Sequence, residues 1–127
     1  MDNSGWDKGF TLLEIIAVLV ILSILAAVAV PKYVSLDESA RQRAIDAGIA
    51  ELNGRETLTW SNAKISASGW VNDERTFELI DPYLGEEYDW APDDPKSTGG
   101  TLSFKNSTAV SLARTESTNE KPGSWSR

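Results

Sequence analysis

Polar and apolar positions divide the chain into three zones. Residues 1–9, MDNSGWDKG, are short and polar; residues 10–30, FTLLEIIAVLVILSILAAVAV, are almost wholly apolar; residues 31–127 are mixed. The nineteen residues from Leu12 to Val30 hold one charge, Glu14, and one other polar side chain, Ser23. As a helix they span about 28 Å, close to the hydrocarbon thickness of a bilayer. Such a helix is apolar on every side and must be buried on every side. A head as small as the rest of this chain cannot surround it, which leaves the membrane as its simplest solvent.

After Val30 the pattern becomes amphipathic without a clear loss of helical potential. In KYVSLDESARQRAIDAGIAELN, residues 32–53, Ile45, Ile49 and Leu52 recur at helical spacing. Tyr33, Leu36, Ala40, Ala44 and Ala47 mark an adjacent stripe. Pro31 has no N–H to give the carbonyl of Ala27, so a kink is expected there, not necessarily an end. Asn53-Gly54 is a plausible stop. Leu58 and Trp60 extend the apolar pattern past it, so the helix is expected to run from Phe10 to roughly Asn62. Beyond Ser61, Arg75–Leu84 reads as a short helix interrupted at Pro82, and Gly85–Gly100 as largely loop. Thr101–Lys105 and Thr108–Arg114 alternate as two strands about an Asn106-Ser107 turn. The tail Thr115–Arg127 is polar and expected to fray. The pattern predicts an α+β fold: a long amino-terminal helix with a transmembrane first half, packed through its second half on a small antiparallel sheet of two to four strands. The predicted divisions are a leader, 1–9; a membrane-spanning and polymerising segment, 10–30; an amphipathic half-helix, 31–62; and a small head with a β-hairpin, 63–127.

Composition narrows the chemistry. The chain has no Cys and no His. That removes disulfides, thiolate nucleophiles, Cys/His zinc sites and histidine acid–base catalysis. Nothing singles out a carboxylate pair as catalytic, so no enzyme and no cofactor is expected. The net charge is −7, and residues 65–127 carry eleven acids against six bases, or −5. An acidic head argues against nucleic-acid phosphate as a partner.

The chemistry concentrates in Lys8-Gly9-Phe10-Thr11-Leu12-Leu13-Glu14, followed by the apolar run and Pro31-Lys32-Tyr33. This segment resembles the class III signal of type IV pilins and of type II secretion pseudopilins, over roughly residues 8–50. The resemblance implies a membrane-embedded prepilin peptidase that cuts between Gly9 and Phe10 and methylates the new amine of Phe10. It implies a single-pass precursor in a bacterial cytoplasmic membrane. An assembly ATPase and a pilus or secretion platform then draw subunits into a helical homopolymer, on the cell surface or in the periplasm. The physics agrees. Gly9 has no Cβ and allows close approach to the backbone. Glu14 is an acid in a membrane helix, which marks it as functional by default. In the first turn after cleavage it can pair with the ammonium of Phe10, in the same subunit or the next. The processing residues are therefore Gly9 and Phe10, the assembly residues Phe10 and Glu14, and the kink residue Pro31.

The chain departs from the family in two respects. Its leader has one base, Lys8, beside Asp2 and Asp7, so positive-inside orientation is weakly encoded. It also cannot close its carboxy-terminal region with the disulfide common among such pilins. Pilin and pseudopilin both stay open, with the pilin favoured. Glu86, Glu87, Asp89, Asp93 and Asp94 form an acidic stretch that is a weak candidate for calcium, though a solvated loop accounts for it better. Trp60, Trp70, Trp90, Trp125, Tyr83 and Tyr88 read as the core of a small head before they read as a binding patch. A secreted protein cut after Ala27-Val28-Ala29, and a membrane-anchored binding module with no cut, are the readings outside the family.

Overall fold

The computed structural model describes residues 9–127; positions 1–8 of the expected leader, Lys8 among them, lie outside the described residues. The chain divides into two compact units, one ending at Asp37 and the other comprising Glu38–Arg127. The element order is α1 (Leu12–Ile65), α2 (Asp73–Glu78), β1 (Tyr88–Trp90), β2 (Gly99–Phe104), β3 (Val110–Thr115) and β4 (Ser124–Ser126). The fold is α+β and pilin-like, with a long apolar amino-terminal helix and a four-stranded antiparallel sheet in the order β1-β2-β3-β4.

Helix α1 has 54 residues and passes through Pro31 and Gly54 without ending at either. It starts two residues after Phe10 and stops at Ile65, three residues past the expected Asn62. Asn53-Gly54 does not terminate it. The side chain of Asn53 instead takes both polar groups of Trp125 in β4: Trp125 N–H donates to Oδ1 at 2.6 Å, and Nδ2 donates to the Trp125 carbonyl at 3.1 Å. One amide thus stands in for a fifth strand and satisfies the outer edge of β4.

In the second unit, α1 buries Ile45 and Leu52 against Leu102, Leu112 and Trp125. Gly48 lies on the same face, where a Cβ would come within 3.0 Å of the Tyr88 ring. Its absence lets β1 approach the helix, and Tyr88 Oη donates to the Ala44 carbonyl at 2.7 Å. Burial of its ring raises the Tyr88 phenol above its ordinary pKa, with the Glu87 charge adding to the effect.

The structure refines several expectations. The acidic stretch is largely loop, as expected, but within it Tyr88–Trp90 pairs with Leu102–Phe104 as β1. The tail does not fray: Ser124–Ser126 pairs with Ala113–Thr115, and Trp125 is buried. The hairpin turn is centred one residue early, on Lys105 and Asn106, which have φ of 46° and 60°. Two consecutive positive φ values match the twist of a tight hairpin. The side chain of Ser107 is then free to accept from Phe104 N–H at 3.1 Å. The short helix is also displaced, to Asp73–Glu78, because Asn72 caps it by accepting from Arg75 N–H at 2.9 Å.

A buried ion network joins α1, α2 and β3. Arg114 points inward with Val110 and Leu112, and Glu56 continues the buried face of Ile45 and Leu52. Arg114 Nε and Nη2 donate to the two carboxylate oxygens of Glu56 at 2.5 and 3.1 Å. Its Nη1 and Nη2 donate to Asp73 at 2.8 and 2.9 Å, and Nη1 also donates to the Ser97 carbonyl at 3.1 Å. Those bonds use all five guanidinium N–H groups. Two carboxylates face one cation, and the surplus negative charge is met by neutral donors. Trp125 Nε1 donates to Glu56 at 2.8 Å; Ser117 N and Oγ both donate to Asp73 at 2.7 Å. Gly123 closes the network from the tail. A methyl there would lie 2.7 Å from Glu56 Oε2 and 2.8 Å from Arg114 Nη2. Gly123→Ala is expected to destabilise the head by about 1–3 kcal/mol, visible as a lower melting temperature.

Candidate processing and assembly site

The site is built where the apolar run begins. Gly9 and Phe10 lie outside the helix, and Gly9 has φ of 69°, a conformation that a side chain strains. Among the described residues, its chain neighbours aside, no atom lies within 4 Å of where a Gly9 Cβ would be. Phe10 is 73% exposed. The Gly9–Phe10 peptide is therefore non-helical, sterically open among the described residues, and immediately upstream of a helix. An amide locked in helical hydrogen bonds cannot enter a protease cleft without unwinding; this one is already free of them.

Thr11 sets the boundary. Its Oγ1 accepts from Glu14 N–H at 3.2 Å, and its carbonyl accepts the first helical bond, from Ile15 N–H, at 3.1 Å. Thr11 is thus the N-cap, and Glu14 occupies the third helical position. Thr-x-x-Glu before an apolar run is the sequence pattern of a capping box. Thr11 is the functional residue that the sequence reading passed over, although this signal was present. The acid of Glu14 in the first turn also faces the positive end of the helix dipole.

Downstream, every residue through Asp37 is exposed, including Ile15, Ile16, Leu19, Leu22 and Leu25. The helix is long and apolar enough to cross a membrane. Ser23 presents no free hydroxyl to such surroundings, because its Oγ donates back to Leu19 and Val20 carbonyls, both at 2.9 Å.

The other sequence candidates come apart in space. Among the described residues no group of three or more acidic or other ligating side chains stands close enough to hold a metal ion. Glu86, Glu87, Asp89, Asp93 and Asp94 are strung along β1 and its flanks, and Glu87 pairs with Lys105 at 3.4 Å. The tryptophans hold the head together. The indole N–H groups of Trp60, Trp70, Trp90 and Trp125 donate to Thr118 O, Ser117 Oγ, Pro82 O and Glu56 Oε1.

Comparison with known proteins bears on this same segment. The family described as the prokaryotic N-terminal methylation motif matches residues 7–30. The chain is 42% identical over 57 residues to the type IV narrow pilus major component PilA5 of Thermus thermophilus, an alignment covering 45% of this chain and 49% of that protein. The chain thus spans about half the length of the curated relative it matches. No solved structure matches it.

Proposed function

We propose that this chain, a member of the type IV pilin family by its methylation motif and apolar amino-terminal helix, is the structural subunit of a pilus-like filament. It is made as a prepilin, cut between Gly9 and Phe10, and methylated on the new Phe10 amine. Residues 10–30 hold it in the cytoplasmic membrane until assembly, and Pro31 gives the helix a place to bend as it enters the filament. The polymer is made of copies of this chain, served by a prepilin peptidase and an assembly platform.

The observation that carries this reading is the order of features over six residues. An open Gly9–Phe10 bond is followed at once by a Thr11-capped helix, and Glu14, the one acid of its apolar span, sits in the first turn. A plain anchor has no use for a left-handed glycine at its start or for a carboxylate in that span. The reading as a pilus subunit, in preference to a secretion pseudopilus, is supported by the relative's role as a major pilus component.

The direct test is the mass of the amino-terminal peptide from membranes of the native host. A peptide beginning at Phe10 with one added methyl group is expected. A start near Val30 would make the chain an ordinary secreted protein, and an intact Met1 a plain anchored domain. Gly9→Leu is expected to leave the precursor uncut, because it adds a side chain at a positive φ and at the cleavage position. Deleting the gene separates the two filament types: loss of long surface fibres marks a pilin, and loss of exoprotein secretion with fibres intact marks a pseudopilin.

A further inference from the structure

The second unit carries an unsatisfied face. Its large exposed apolar residues, among the described residues, are Leu58, Ile65, Val71, Leu79 and Tyr83, all within one stretch of chain. Between the end of α1 and α2 lies a groove of about 370 Å³, lined by Asn62, Ala63, Ser68, Val71, Arg75 and Leu79, among others. That volume is within the range of small binding clefts. The Arg75 side chain makes no ion pair or hydrogen bond among the described residues; only its backbone N–H is engaged, by Asn72. No aromatic ring lines the groove, which argues against a sugar.

The complementary feature is on the same chain. Ala91, Pro92, Asp93 and Asp94 are four consecutive exposed residues after β1. Neither Asp93 nor Asp94 makes an ion pair among the described residues. The head therefore has a groove of mixed polar and apolar lining with an unmatched cation, and an Ala-Pro-Asp-Asp tip with two unmatched carboxylates, and does not join them within itself. We propose that the groove is the seat for the Ala91–Asp94 tip of a second copy, with Asp93 and Asp94 facing Arg75 and Pro92 against Val71 and Leu79. Two different patches on one chain make a head-to-tail contact. Repeated without closure, that contact generates an open helix and not a closed dimer. The inference rests on the filament reading and adds to it a contact outside the amino-terminal helix.

The chain's lack of cysteine makes the test clean. Ser68→Cys and Ala91→Cys are placed together in the full chain, expressed in the native host, and sheared filaments are treated with a short bis-maleimide. A ladder of cross-linked dimers, trimers and higher species is expected, absent from either single variant. In parallel, Arg75→Glu is expected to lower filament yield at least tenfold with an unchanged melting temperature. Adding Asp93→Lys and Asp94→Lys is expected to restore the yield to within about threefold. Filaments that give only monomers after cross-linking would overturn the contact and leave the filament reading standing. If the wild-type chain forms no filaments in its host, both fall. If Arg75→Glu disturbs folding, the cross-linking result alone decides.

Discussion

Glu14→Ala is expected to be cut and methylated normally and to yield at least tenfold fewer filaments. In the proposed scheme cleavage depends on Gly9, Phe10 and the open backbone between them, none of which Glu14 builds. Assembly is another matter. In the uncut chain the Phe10 nitrogen is a neutral amide; cutting turns it into an ammonium, four residues from Glu14 in sequence. On the proposed reading, processing therefore creates a cation placed to match that carboxylate inside an apolar bundle. An acid near the middle of a membrane helix costs on the order of 2.5–3.5 kcal/mol, and less near an end. In a filament the same charge, left unpaired between apolar helices, is unfavourable in the same way, and in the proposed scheme that penalty sets the axial register of neighbours. A purely local role is the competing account. As the acid of a capping box and a partner of the helix dipole, Glu14 would contribute only about 0.3–1 kcal/mol. Glu14→Gln separates the two: it keeps the capping geometry and removes the charge. It is expected to assemble as poorly as Glu14→Ala, measured as pilin in the sheared fraction against methylated pilin in the membrane. Normal filaments from both variants would take Glu14 out of the assembly mechanism.

The parts of this molecule that were legible in its sequence are those with long periods. Nineteen residues from Leu12 to Val30 with a single charge leave little choice but an apolar helix, and Ile45, Ile49 and Leu52 carry it on as an amphipathic one. The β2–β3 hairpin was visible because Leu102, Phe104, Val110 and Leu112 alternate over enough residues to show a period of two. Strands β1 and β4 have three residues each, too few for alternation to register, and β4 is read as tail because its neighbours are Ser, Gly and Lys. Their order comes from long-range partners, Tyr88 on Ala44 and Trp125 on Asn53 and Glu56. The ion network was hidden for a different reason. Glu56 and Arg114 both lie in phase with their elements' apolar faces, but a charged residue at such a position is usually assigned to solvent. Only the fold reveals that the two phases meet.

Arg114→Met is expected to be the most damaging single change in the head. It removes five donors at once and leaves Glu56 and Asp73 as buried carboxylates without a cation. Breaking a buried pair from one side costs about 3–5 kcal/mol. A domain of this size has roughly 5–15 kcal/mol in total, so the melting temperature should fall by more than about 15 °C. The loss lies in the orphaned charges more than in missing attraction. Arg114→Met with Glu56→Gln and Asp73→Asn keeps acceptors for Trp125 and Ser117 and removes both charges. It is expected to be more stable than the single variant. The pH dependence supplies the sign. In the wild type, burial alone would raise the Asp73 carboxyl, but hydrogen bonds from Arg114 and Ser117 outweigh it and hold the group below its ordinary 3.8. A depressed carboxyl contributes stability that is complete above the unfolded value and is lost as pH falls through the folded one. The wild-type melting temperature should therefore hold from neutral pH to about 5 and fall below about 4. In Arg114→Met the same carboxyl is buried without its cation, its pKa rises, and acidification from pH 7 neutralises a destabilising charge. That variant should gain stability over the range where the wild type stays flat. Thermal unfolding of the full chain in detergent, followed by tryptophan fluorescence from pH 7 to 3, measures both limbs. Parallel curves for the two proteins would mean that the Arg114 network does not govern the stability of the head.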